Sequence, residues 1–91
     1  MVYLLDVDDN LVKAVQKLKK KDPVSHGRIL KKTKEILENP ELGKPLSNSM
    51  KDIRRVHIGH FVLTYKIDYG IKKVTLVDYE HHDKVYKYPH Q

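Results

Sequence analysis

The sequence predicts an α+β fold. A helix hairpin packs on one face of a small twisted antiparallel sheet, in the order β-α-α-β-β-β, and residues 1–91 make one domain. Three observations carry this. Apolar residues recur at helical spacing in two segments on either side of Asp22-Pro23, a pair that stops one helix and starts the next. Beyond Met50 the apolar period changes from helical to two. Short turn signals, Gly59-His60 and Asp68-Tyr69-Gly70, divide that second half into a meander.

The elements follow in order. Val2-Tyr3-Leu4-Leu5-Asp6-Val7 is apolar and β-prone, a first strand that joins the meander. Asp8 and Asp9 can cap a helix whose core stripe is Leu11, Val15 and Leu18, with Lys13, Lys17 and Lys20 on another face. Lys19-Lys20-Lys21 place positive charge at its C-terminal end, where the helix dipole favours it. The second helix takes Asp22 as N-cap and Pro23 at its first position, and its apolar stripe is Ile29, Ile36 and Leu37, with Thr33 between. Gly27 weakens its early turns by about 1 kcal/mol relative to alanine, and Asn39-Pro40 ends it. So short a link makes the two helices an antiparallel hairpin. Residues 39–50 read as a loop anchored by Leu46. Three strands follow, 53–58, 61–67 and 73–79, and then a polar, histidine-rich tail from Glu80 to Tyr86.

Composition excludes several classes. With no cysteine there is neither a disulfide framework nor a thiolate metal site. No apolar stretch approaches the length of a membrane span, and the start, Met1 to Asp6, turns acidic at once without the basic opening of a signal peptide. A cytoplasmic protein is expected, with no membrane partner. The net charge is +6 and is unevenly placed. Residues 13–38 hold nine Lys and Arg against Asp22, Glu35 and Glu38, a surplus of six in that segment alone. Concentrated positive charge suits a polyanion, and equally a solvated helix face.

Histidines supply the candidate chemistry. His57 and His60 flank the first turn of the meander, and His81 and His82 follow its third strand. The middle strand lies between its neighbours, so the Gly59-His60 turn and the His81-His82 tail meet at one end of the sheet. Cleavage of RNA by transesterification needs a proton acceptor, a proton donor and cationic support, and a histidine pair can act as the first two near neutral pH. Read singly, His60 or His81 is more often simply an exposed polar residue beside a turn. His57-x-x-His60 crosses a turn and is not a standard ligand pair, so neither metal nor other cofactor is expected.

The ordered set of elements resembles the RelE/ParE toxin superfamily across about residues 2–87. The run Arg55-Val56-His57-Ile58-Gly59-His60-Phe61-Val62-Leu63-Thr64-Tyr65 resembles that family's strand-turn-strand pattern, and His81-His82-Asp83-Lys84-Val85-Tyr86 resembles its closing segment. The resemblance implies a toxin of a type II toxin–antitoxin module. Such a toxin cuts messenger RNA on the ribosome, and is a monomer alone or a hetero-oligomer with a cognate antitoxin. It places Arg55 and His57 among the basic catalytic groups, Tyr86 at the C-terminal catalytic tyrosine, and His82 where members carry arginine or histidine. RNA contacts are expected from Lys51, Arg54, His60 and His81, and from the helix lysines. One position departs: Val62 stands where the family usually carries an arginine on the scissile phosphate, and an apolar side chain cannot do that work. The departure implies weakened cleavage. The alternative is a non-catalytic member of the fold, either a gyrase inhibitor or an inactive protein that binds only its antitoxin.

Overall fold

The computed structural model describes residues 2–46 and 52–87. Strand β1 (Leu4–Val7) leads into helices α1 (Asp9–Lys21) and α2 (Pro23–Glu38). A single 3₁₀ turn (Pro40–Leu42) precedes the short strand β2 (Lys44–Pro45). The meander is β3 (Ile53–Ile58), β4 (Phe61–Asp68) and β5 (Lys73–His81), and helix α3 (His82–Lys87) follows without a break. The five strands form one sheet in the order β1-β5-β4-β3-β2.

The helix boundaries obey their local chemistry. Asp8 caps α1, its side chain accepting from the Asn10 N–H at 3.0 Å. Asp22 caps α2 by accepting from the Ser25 N–H at 3.1 Å and its hydroxyl at 2.7 Å, and these bonds hold its carboxyl below the usual carboxylate range. Leu11, Ile29, Thr33 and Ile36 are buried as their spacing requires, and Val15, Leu18 and Leu37 pack against the same core. The sheet meets them with one face: Val56 and Ile58 from β3, Leu63, Tyr65 and Ile67 from β4, Val74 and Leu76 from β5.

Three features go beyond the sequence reading. β1 pairs with β5 in parallel, so the sheet is mixed, while the other pairings are antiparallel. Alternation of apolar residues fixes which face a side chain takes and carries no information about strand direction. The segment read as loop contains β2, bonded to Arg54 and Arg55 of β3. The tail is helical over His82–Lys87. The turns fall as expected: Gly59 adopts φ +62°, where a side chain would be strained, and the Asp68 carboxylate accepts from the Gly70 and Ile71 N–H groups.

Tyr65 ties the 3₁₀ turn to the core. Its ring is fully buried, and its hydroxyl donates to the Pro40 carbonyl at 2.6 Å and accepts from the Gly43 N–H at 2.9 Å. A Cβ on Gly43 would lie 2.6 Å from the Arg55 carbonyl oxygen and 2.8 Å from that hydroxyl, so glycine is required by close approach. Burial pushes the Tyr65 hydroxyl's pKa up; it also raises Tyr79, and raises Tyr69 with help from the Glu41 carboxylate. Above about pH 10 the unfolded chain therefore loses tyrosine protons that the folded chain keeps. The unfolded state then binds fewer protons, and stability falls as pH rises. The melting temperature should begin to drop from about pH 10, and Tyr65→Phe should make the decline shallower. A melting temperature that holds steady through that range would contradict this.

Candidate functional site on the sheet face

Period-two alternation sorts the candidate residues between two faces. Arg55 and His57 of β3 point away from the helices, as do Val62, Thr64 and Lys66 of β4, which pair with His57, Arg55 and Ile53. From β5, Glu80 pairs with Val62 and Asp78 with Thr64. Lys44 of β2 pairs with Arg55.

His57 and His82 meet on this face, with ring centroids 5.9 Å apart and planes tilted by 37°. His82 is set there by the first turn of α3, where its N–H donates to the His60 carbonyl at 2.7 Å. Beside His57 a cleft of about 330 Å³ is lined by Lys32, Gly43, Lys44 and Arg55. Three of these are cations, and among the described residues no acidic side chain lines it. Lys32 also bonds Glu35 at 3.2 Å, and an Arg55 N–H lies 3.4 Å from the Pro45 carbonyl. Val62 is 0% exposed, flanked in its row by His57 and Glu80, with α3 packed against β4 and β5 just beyond.

The remaining candidates lie elsewhere. Arg54 faces the helix side, where it donates to the Gly43 carbonyl at 2.7 Å and approaches the Glu41 carbonyl at 3.4 Å; its Nε is buried without a hydrogen-bond partner. Adjacent residues of a strand point to opposite faces, so Arg54 and Arg55 do not act together. His60 and His81 form a second pair, centroids 6.3 Å apart, and His81 packs edge-on against Phe61 on the helix side. Tyr86 belongs to α3, but its side chain, like the whole of Lys51, lies outside the described residues. Lys32 was among the helix lysines expected to meet RNA, whereas Lys44 was not legible as a site residue. Lys44 sits in a Pro- and Gly-rich stretch, and only the β2–β3 register sets it beside Arg55. Among the described residues no group of three or more His, Cys, Asp or Glu is placed to hold a metal ion, and no helix is long and apolar enough to cross a membrane.

A helix hairpin on one face of a five-stranded mixed sheet, with Lys44, Arg55 and His57 on the opposite face, defines a small α+β fold. Solved structures agree on that fold. The isolated RelE toxin of E. coli superposes with a TM-score of 0.75 at 24% identity, covering 93% of this chain and 92% of that one. A chain of the RelBE2 toxin–antitoxin complex of Mycobacterium tuberculosis gives 0.74 at 19% identity over 89% and 99% of the two chains. A Methanocaldococcus jannaschii protein named "Putative toxin RelE4" is 41% identical over 94% of this chain and 93% of its own length. An uncharacterized protein of Methanosarcina mazei is 45% identical over 93% of this chain and the whole of its own. The model of the family described as the ParE toxin of the type II toxin–antitoxin system parDE matches residues 5–86. The chain belongs to that family, within the RelE/ParE superfamily of toxins.

Proposed function

We propose that this toxin cuts messenger RNA on the ribosome, and that an antitoxin restrains it. The observation that carries the reading is the His57–His82 pair beside the cationic cleft of Lys44 and Arg55. In the reaction, one imidazole takes the proton from a ribose 2′-OH, and that oxygen attacks the adjacent phosphorus. The bond to the 5′-oxygen of the next nucleotide breaks, and the other imidazole, protonated, gives that oxygen its proton. The products are a 2′,3′-cyclic phosphate and a 5′-hydroxyl. Arg55, with Lys44 beside it, offsets the charge that grows on the non-bridging oxygens. Tyr86 on α3 is a further candidate for this machinery. Every proton and bond in the scheme comes from side chains and the substrate's own hydroxyl, so no cofactor enters it.

Antitoxin binding is supported by the solved relatives: the M. tuberculosis structure is a RelBE2 toxin–antitoxin complex, and the Pyrococcus horikoshii structure is a RelE–RelB complex. A partner with acidic segments would match the basic helix pair. Ribosome-bound messenger RNA places the action in the cytoplasm.

The test is to induce the chain in cells and map messenger ends by primer extension. Codon-phased ends that vanish on co-expression of the neighbouring open reading frame are the expected result. Double-strand DNA breaks with intact messengers would replace the nuclease reading with gyrase inhibition.

A further inference from the structure

We propose that the ring cluster at the Gly59 end of the sheet, on the face opposite His57 and His82, is a stacking platform for one unpaired base of RNA. The inference rests on the RNA-cleaving reading above and adds a second contact to it.

Phe61, the chain's one phenylalanine, opens β4 with its side chain on the helix-side face. Its strand-mates there, Leu63, Tyr65 and Ile67, are 1%, 0% and 5% exposed, yet Phe61 is 36% exposed. Its ring is nearly parallel to that of Tyr79, with centroids 4.7 Å apart and planes 9° from each other. His81 meets Phe61 edge-on at 5.3 Å and 78°, and His60 lies against His81 at 6.3 Å and 19°. Two strands and a turn thus assemble four rings at one end of the sheet.

Positive charge lies near the rings. A guanidinium nitrogen of Arg28 lies 3.1 Å from the position a Cβ on Gly59 would take. Arg28 belongs to the second turn of α2, and Lys19-Lys20-Lys21 end α1 at the α1–α2 junction just before it. Exposed ring faces edged by Lys and Arg are how proteins hold unstructured nucleic acid with little sequence preference. Acids are present too: Asp22 at the junction, and Asp83, 3.8 Å from the His81 ring. They count against an acidic peptide as the occupant. A base presents a neutral face to the rings and is compatible with them.

The platform and the candidate cleavage face stand back to back. His82 follows His81 directly, and its N–H bonds to the His60 carbonyl. A strand whose phosphate lies at His57 and His82 therefore turns around this end of the sheet, and the stacked base is a near neighbour of the cut.

The test uses the full chain and a short single-stranded oligouridine carrying 5-iodouridine, with an abasic strand of equal length as control. Irradiation should cross-link 5-iodouridine to a peptide containing Phe61 or Tyr79. Phe61→Leu keeps an apolar side chain of similar bulk; it should weaken binding roughly 5- to 150-fold, the worth of one stacked base. The abasic strand should bind both proteins alike. Cross-links confined to the His57 face, or equal affinity of Phe61→Leu and the unmodified chain, would overturn the platform even if the chain cuts messenger RNA. A variant that loses antitoxin affinity and keeps RNA affinity would overturn it in favour of a peptide site. If the unmodified chain neither binds nor cuts RNA, the cleavage reading falls and the platform falls with it.

Discussion

Replacing His82 with alanine is expected to lower cleavage of messenger RNA by about 10²–10⁴-fold, the usual contribution of a general acid or base. Ribosome binding should be nearly unchanged, because the lysines of α1 and α2 that would meet ribosomal phosphates remain in place. His82 shares the face with His57 at 5.9 Å, so His57→Ala should cost a similar factor, and the double variant little more than either alone. Codon-phased ends in induced cells and the rate on programmed ribosomes are the measurements. Full toxicity of both His82→Ala and Tyr86→Phe would remove these two residues from the chemistry. Val62→Arg is the informative counterpart. Val62 is fully buried between His57 and Glu80, so a guanidinium there must pair with Glu80 or push α3 aside. Cleavage should rise and the melting temperature should fall. If the unmodified chain cuts nothing and this variant alone cuts, the chain is a binding protein whose fold has lost the reaction.

Tyr65→Phe is expected to destabilise the fold by about 2–6 kcal/mol. It leaves the Pro40 carbonyl and the Gly43 N–H without their shared partner, at about 1–3 kcal/mol for each buried group left unmade. For a domain of this size that is a drop in melting temperature of roughly 10–30 °C. The effect should reach the cleft as well, because the Gly43 segment that Tyr65 holds lines it beside Lys44 and Arg55. A thermal melt and a cleavage assay at low temperature separate the two consequences. A change of only a degree or two would mean that water replaces both bonds at no cost.

The helices were legible because their signals are local. Asp8, Asp22-Pro23 and Asn39-Pro40 act within a few residues of themselves, and a stripe such as Leu11, Val15 and Leu18 marks one face whatever it packs against. The meander was legible for the same reason, through alternation and the Gly59 turn. Direction of β1 was not. β2 runs antiparallel to β3 and adds a reversal of the chain that a plain loop would lack, and β5 ends up parallel to β1. Two residues of Lys-Pro carry no periodicity by which to be recognised as a strand.

For the site, the sequence by itself determined the chemical types and the end of the sheet at which they gather. It set two histidines at a turn and two at the end of a strand, with arginine nearby, and it set valine where the family's arginine stands. Only the tertiary structure decided which of these share a face. It paired His57 with His82 and His60 with His81, turned Arg54 onto the loop, and brought Lys44 from β2 to Arg55. The physical reason is that strand register and the start of α3 are long-range choices. A shift of one residue moves every side chain of a strand to the other face, and pairing between distant segments, not any local preference, selects the register.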